Sequence, residues 1–404
     1  MLQPLRQRPV ALLWGGLAFS AIGDQAYNVA FAWIATEAFG AAAGYLVALG
    51  PLVLLATLVF GGRMADGVPP GQVMIGADLV RAAALLGVVA AWSVQGSPPA
   101  LGLVMTVAAL GAGQAVFRPA LQTVLPALLP DRTLLPAANA LLDGTERLAR
   151  LLGPALAGLL SALLPLRHLL SLDAATFLLS AAALWLIQRR QPIPALHGLP
   201  PGGVLASMAQ GVRALRRHGL LGYVLATSGM LNGAWYATFF LVLPLLLQRS
   251  GLALSAYGLV ISAYGLTNLA ANLVVGSRTM PVRPGRQIFG GNLCLALGMA
   301  LLAGSAAGGL PPGLLLPAAM AASAFAAIGG PMQDIPVAVL RQTELSRADV
   351  PAATRAMMAS SQGGQLAGVV LTPLLLDGLP MAGVIGLCAG LIAGVALLGL
   401  RRHG

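Results

Sequence analysis

Long apolar runs, separated by short breaks rich in Arg, Pro and Gly, make up most of the chain. They cover about 9–36, 44–64, 72–95, 98–118, 143–165 and 167–188. A polar, Pro-containing stretch fills 189–217, and six more runs follow at about 218–248, 254–277, 286–308, 311–338, 354–376 and 380–400. Each run is close to the twenty or so residues that an α-helix needs to cross about 30 Å of hydrocarbon. Helices also satisfy their own backbone hydrogen bonds there. The pattern predicts an all-α polytopic membrane protein with twelve transmembrane helices. The break from Leu163 to His168 is so short that its neighbours must form an antiparallel hairpin. Within the middle stretch, Val204, Met208, Val212 and Leu215 recur at helical spacing, and Arg213, Arg216 and Arg217 cluster at its end. That predicts a short amphipathic helix joining two bundles, either along the inner leaflet or solvated.

The second half of the chain repeats the first. Gly62 with Val68-Pro69-Pro70-Gly71-Gln72 recurs at a shift of 214 as Gly276 with Val282-Arg283-Pro284-Gly285-Arg286. At a shift of 215, Pro136-Ala137-Ala138-Asn139-Ala140-Leu141-Leu142 recurs as Pro351-Ala352-Ala353-Thr354-Arg355-Ala356-Met357, and Gly153 maps onto Gly368. A common shift at three places predicts two pseudo-symmetric six-helix bundles, as in many secondary transporters. The expected division is 1–188, a linker at 189–217, and 218–404.

Polar residues interrupt the apolar runs in a pattern. Asp24 lies sixteen residues beyond Arg8, about 24 Å along a helix. A carboxylate at such depth costs roughly 2.5–3.5 kcal/mol on insertion scales and faces a cavity or a partner. Tyr27, Asn28 and Phe31 share its helical face. In the seventh run Asn232, Trp235, Tyr236 and Phe239 keep the same spacing, and the eighth adds Tyr257, Tyr264, Asn268 and Asn272. Such aromatic-plus-amide stripes suit a ligand with apolar and polar parts; interhelical packing is the alternative. Asp24 is the leading candidate for a proton-coupling acid, with Asp173 and Asp334 as alternatives. Asp24 also has a structural alternative, as the cap of a bend at Gly23. Asp78 and Arg81, at i and i+3, read as an intrahelical pair near the cytoplasmic end of the third run.

Composition removes other classes. The 404 residues are 58% hydrophobic and 9% charged, far below the charge content of soluble domains. The net charge of +11 is explained by placement rather than by nucleic acid. With the N-terminus inside, every Arg except Arg167 and Arg249 falls in inner loops or near inner helix ends, which is the positive-inside bias. Both termini are then cytoplasmic. Arg6 and Arg8 precede an apolar run too long for a signal core, so that run is expected to be retained. Cys294 and Cys388 lie in apolar runs, and His168, His197, His218 and His403 have no metal spacing. There is no Walker loop. The expectation is a transporter and not an enzyme, without cofactor or metal, acting as a monomer on a small molecule among membrane lipids.

The residues Gly62-Arg63-Met64-Ala65-Asp66, and Ala149 through Gly153-Pro154 to Gly158, resemble two motifs of the major facilitator superfamily, in particular its bacterial exporter branch with enterobactin and macrolide exporters. The resemblance covers nearly the whole chain. In the family's loop motif, Gly62, Ala65 and Asp66 match, whereas Gly67, Pro70 and Gly71 stand where basic residues are usual. This implies a cytoplasmic gate at Gly62, Asp66, Asp78, Arg81 and Arg118, with the cationic partner of Asp66 drawn from Arg63, Arg81 or Arg118. A solvated Asp66 that ends a helix is the alternative. Gly153, Pro154 and Gly158 match the antiporter motif, with Ala149 and Ala157 in place of glycines, and this implies export. Phe117-Arg118-Pro119-Ala120 is a further resemblance, while the fourth run lacks the Arg common in proton-coupled drug exporters. The fold implies a cavity lined by the first and fourth helices of each half. Together these imply proton-coupled antiport of a siderophore, drug or secondary metabolite across the bacterial inner membrane, with lysophospholipid transport as the alternative.

Overall fold

The computed structural model describes residues 3–60, 68–129, 131, 134–193, 203–278, 281–346 and 349–404; Gly62 and Asp66 lie outside them. The described residues are helical throughout, with no strand. The first six crossings are α1 (Arg8–Phe39), α2 (Ala43–Phe60), α3 (Pro70–Gln95), α4 (Ala100–Ala127), α5 (Leu135–Ser161) and α6 (Leu166–Arg190). Helix α7 (Gly203–Arg217) follows. The seventh crossing is α8 (Gly219–Tyr236), a π-helical turn over Ala237–Val242, and α9 (Leu243–Arg249). The remaining crossings are α10 (Leu254–Gly276), α11 (Pro284–Ala307), α12 (Pro312–Ala327) with α13 (Gly329–Glu344), α14 (Val350–Gly378) and α15 (Met381–His403).

Local sequence sets these limits. Pro70 occupies the first turn of α3, where its missing N–H is no loss. The helix ends at Gly96, whose φ of +75° lets its N–H reach the Trp92 carbonyl in the left-handed C-cap that glycine tolerates. Proline precedes α6 at Pro165 and α15 at Pro380. Two boundaries differ from the apolar pattern. Helix α4 continues past Arg118 and Pro119 to Ala127 because Val124 and Leu125 still fall on its buried face, packed with Val10 and Leu13. Helix α5 begins at Leu135, well before its apolar run, carrying Glu146, Arg147 and Arg150 inside the helix.

Among the described residues nine segments are apolar and long enough to cross a membrane, the first of them spanning α1 and α2 together. Helices α5 and α14 are the two crossings outside that set. They are repeat mates, and both place small and polar residues where the others place leucine.

The contacts group the chain into two units: 1–34 with 49–201, and 35–48 with 202–404. In unit 1, α3 packs between α4 and α6. Its buried positions Met74, Ala77, Asp78, Arg81, Leu85 and Val88 recur at helical spacing. In unit 2, α11 packs on α15 and α8 on α14. Two glycine pairs allow the second contact: side chains at Gly364 and Gly368 would strike the carbonyls of Gly229 and Gly233. Small residues spaced by four bring helix backbones together in this way. The α7 helix turns Gly211, Ala214 and Leu215 inward and packs on α14. Its apolar stripe therefore covers protein, and Arg213, Arg216 and Arg217 are exposed.

Candidate functional site

In unit 1 the helix carrying Asp24 is held closely on two sides. Toward α6, a side chain at Gly23 would lie 2.5 Å from Asp173 Oδ1 and 2.6 Å from Thr176 Oγ1; two turns earlier Gly16 sits against Ser180. Toward α5, Gly153 packs on Gln25 and the backbone N of Ala26. Gly153, Pro154, Ala157 and Gly158 form a buried stripe along that face of α5. Trp14 Nε1 adds a 2.9 Å hydrogen bond to Thr145 Oγ1. Asp24 is thus fixed by backbone contact at the residues on either side of it.

Around Asp24 lies a buried charge cluster. Asp78 and Arg81 are almost wholly inaccessible, at 0% and 5% exposure, and meet at 3.4 Å. The Arg81 guanidinium lies between the rings of Phe117 and Phe177, 5.2 Å from each centroid. Gly113 of α4 makes that position possible, since a side chain there would collide with Arg81. Asp24, Asp78 and Asp173 all lie within electrostatic reach of Arg81. Asp173 is buried; Thr176 Oγ1 donates to its Oδ1 at 3.2 Å, and its Oδ2 has no hydrogen-bond partner. The Tyr27 hydroxyl, facing Asp173 and Asp24, is likewise unpartnered, as are Arg81 Nε and Nη2. Polar groups left so in a low-dielectric interior are costly. At the edge of the cluster Arg118 pairs with Glu146 at 3.3 Å and Arg150 with Glu146 at 3.6 Å, all partly exposed.

The expected face of α1 divides. Tyr27 and Phe31 are buried and stacked with centroids 5.3 Å apart, Asp24 is half-buried and Asn28 exposed. Asp78 and Arg81, read from sequence with the gate, sit in one cluster with Asp24 and Asp173. No helical periodicity could have joined them, because the contact depends on how α1, α3 and α6 pack. Gly23 is read from sequence as the site of a bend rather than as a helix contact, and Gly113 and Phe177 are not singled out there; small residues facing charged ones are the available signal.

Unit 2 builds a different site. Trp235 contacts Tyr236, Phe239, Phe240 and Tyr264 at centroid distances of 4.9–5.7 Å. Its Nε1 donates to the Tyr264 hydroxyl at 2.9 Å. The π-turn begins one residue after Tyr236, and such turns often mark functional positions. Here the Tyr257 hydroxyl donates to the Phe239 carbonyl at 3.0 Å. Asn268 donates to the Ala327 carbonyl at 3.1 Å, where α12 gives way to α13, and Asn272 donates to Asn268. Asn232 turns back on its own helix, donating to Ser228 O at 2.9 Å. Asp334, one turn into α13, is exposed and within electrostatic reach of Tyr264, and it belongs to unit 2.

The profile of the Major Facilitator Superfamily matches residues 13–348. The chain belongs to that superfamily. No curated protein matches the sequence. Solved structures share the fold of this facilitator at low identity. One is a bacterial homologue of the iron transporter ferroportin in an inward-facing state, with TM-score 0.75, 14% identity, and 97% of each chain covered. Another is a POT family transporter in complex with a thioalcohol-conjugated peptide, with TM-score 0.74, 13% identity, and 98% and 96% covered. A third is the nucleoside transporter NupG, with TM-score 0.72, 13% identity, and 98% and 100% covered.

The facilitator's two halves can be aligned residue by residue on their contacts. Gly153 packs on Gln25 and its mate Gly368 packs on Gly233. The shift of 208 that relates Gln25 to Gly233 also carries Asp24, Tyr27, Asn28 and Phe31 onto Asn232, Trp235, Tyr236 and Phe239. The shift of 214 carries Asp78 onto Asn292 and Arg81 onto Leu295. The shift of 215 carries Pro165 onto Pro380 and Asp173 onto Cys388. Every ionisable residue of the unit 1 cluster thus has an uncharged counterpart in unit 2.

Proposed function

We propose that this facilitator is a proton-coupled secondary transporter of the inner membrane, with both termini cytoplasmic, that exports a small amphiphilic molecule by alternating access. The observation that carries the reading is the asymmetry between repeats. Asp24, Asp78, Arg81 and Asp173 are gathered in unit 1, while their counterparts Asn232, Asn292, Leu295 and Cys388 hold no charge. Three carboxylates around one buried guanidinium carry excess negative charge, which protonation reduces. Asp24, half-buried, is the member open to exchange. Moving one charge through 100 mV supplies about 2.3 kcal/mol, enough to drive accumulation.

The aromatic cluster at Trp235 receives the apolar part of the cargo, with Tyr264 and Asn268 offering polar contacts. Export is supported by the Gly153-Pro154 stripe, which packs on α1 beside Asp24 and so ties the motif to the coupling residue. A small organic cargo is in line with the peptide conjugate bound by one solved relative and the nucleosides named for another.

The reading is tested with the purified chain in vesicles under an imposed pH gradient, offered siderophores, macrolides and lysophospholipids. Gradient-dependent flux of one class is the expected result. Flux indifferent to the gradient contradicts proton coupling, and flux of lysophospholipid alone replaces the drug-like cargo with a lipid.

A further inference from the structure

We propose that the outer face of α15, with the start of α11, holds one anionic phospholipid, its phosphate taken by Arg286 and Arg401 and an acyl chain lying along Gly386, Gly390 and Gly394. The site lies within unit 2 and is independent of the direction and coupling of transport.

The charged end is built on a backbone contact. A side chain at Gly285 would strike the His403 carbonyl, and Gly399 lies against the Phe289 ring. The Tyr223 hydroxyl donates to the Val395 carbonyl at 2.7 Å, and its ring meets Phe289 edge-on at 5.5 Å. The start of α11 and the end of α15 are therefore fixed side by side. Arg286 directly follows Gly285, and Arg401 precedes His403 by two residues; both are exposed, as are Arg283 and Arg402 beside them. Among the described residues no carboxylate forms a salt bridge with any of the four.

The apolar end is a track of glycines. Gly386, Gly390 and Gly394 recur every four residues on one face of α15, and side chains there would meet no other part of the described protein. Elsewhere in unit 2 glycines at this spacing serve backbone contact, as Gly364 and Gly368 do. Glycine inside a helix is otherwise destabilising relative to alanine, so three without a protein neighbour call for an occupant from outside. Leu397 and Arg401 continue the exposed line of Gly390 and Gly394. On α11, Arg286 heads a line with the exposed Leu297 and Leu301. A molecule with an anionic head and an apolar tail matches both ends, whereas a free phosphate leaves the track empty.

Charge also disfavours a second copy of the chain on this face. Seated on the same glycines through a two-fold axis, it would bring Arg401 against Arg401 with no carboxylate between. Unit 1 supplies an internal comparison. Its contact of Gly71 with Gln188 is the repeat mate of Gly285 with His403. There Gln72 stands in place of Arg286, and Ser171, Ala175, Leu179 and Leu186 stand in place of Gly386, Gly390, Gly394 and Arg401. That face has neither the charge nor the track.

Native mass spectrometry of the full-length protein in detergent tests the site, with phosphatidylglycerol and phosphatidylcholine offered in equal amounts. One phosphatidylglycerol per chain is expected to be retained in preference. Arg286→Ala with Arg401→Ala is expected to lower that retention roughly twentyfold, the loss of two basic residues at an anionic headgroup. Gly390→Leu with Gly394→Leu fills the track and should lower it too, with thermal stability kept. Arg189→Ala with Arg190→Ala, at the matching end of α6, should leave it unchanged. Equal retention of the two lipids, or an equal loss in both arginine double variants, would overturn the site in favour of diffuse charge. Displacement of the lipid by soluble glycerol phosphate at equal concentration would overturn the lipid in favour of a phosphate alone. A two-chain mass that the leucine variant converts to one chain would overturn it in favour of a second copy.

Discussion

Unit 1 places a guanidinium where unit 2 places a leucine. Arg81 and Leu295 are repeat mates on α3 and α11, and both helices pack against the last crossing of their half. The same scaffold thus supports a charged centre in one half and a neutral one in the other. The difference lies in who makes room. Gly113, Phe117 and Phe177 surround Arg81, and a buried cation needs such a container, since its desolvation is only partly offset by Asp78. In unit 2 the glycines serve backbone contact between α8 and α14 instead, and Asn232, the counterpart of Asp24, donates to the Ser228 carbonyl of its own helix. A duplicated bundle can therefore hold buried charge in one half and leave the matching positions of the other neutral.

The comparison can be broken at its centre. Arg81→Ala leaves the buried carboxylates without their cation and opens space between two rings. Its expected cost is roughly 3–5 kcal/mol, read as a large fall in thermal stability in detergent. Asp78→Asn combined with Arg81→Leu copies the unit 2 pattern. That double variant is expected to recover most of the stability, to within about 1–2 kcal/mol, while losing gradient-driven transport. If the single change is harmless, the cluster does not hold unit 1 together.

The glycine contacts sharpen the comparison. Gly153→Ala drives a methyl into Gln25, and Gly364→Ala drives one into the Gly229 carbonyl. Each is expected to cost about 1–3 kcal/mol as overpacking. Only the first lies beside a carboxylate, so only the first should alter the pH dependence of transport. Trp235→Ala removes the hub of the aromatic cluster and the donor to Tyr264. A loss of about 1.4 kcal/mol corresponds to a tenfold rise in KM; the gradient dependence is expected to stay as it is.

Much of this architecture is legible in the apolar runs. Their lengths give the twelve crossings, and the shift of about 215 gives the duplication. Helix α5 is not legible at its start, because its apolar run begins only at about residue 143, whereas Leu135 and Leu142 already pack against the buried residues of unit 1. The π-turn after Tyr236 leaves no trace in periodicity, since one added residue per turn does not disturb a run that is apolar all round. Asp24 stands out alone in sequence. Its association with Asp78, Arg81 and Asp173 is set by which helices touch, and only Gly23 and Gly153 hint at where. The amphipathic pattern of α7 was legible, but not its direction: the stripe faces α14, held by Gln210 Nε2 donating to Asp349 at 2.9 Å.

That last contact carries the smallest expected effect. Hydrogen bonds from Gln210 and Ser346 hold the Asp349 carboxyl below the usual carboxylate range. A folded-state value below the unfolded one stabilises at pH above the ordinary carboxylate value of about 4 and is lost as pH falls through the folded value. Amide hydrogen exchange of α7 should therefore quicken slightly in that acid range. Asp349→Asn is expected to remove this pH dependence.

The central claim is that protons are handled in unit 1 through Asp24. It is tested most directly by comparing Asp24→Asn with the unaltered protein in vesicles, measuring gradient-driven accumulation and gradient-free exchange of the same cargo. The account predicts that accumulation falls at least tenfold while exchange continues at a comparable rate. Normal accumulation by Asp24→Asn would contradict it.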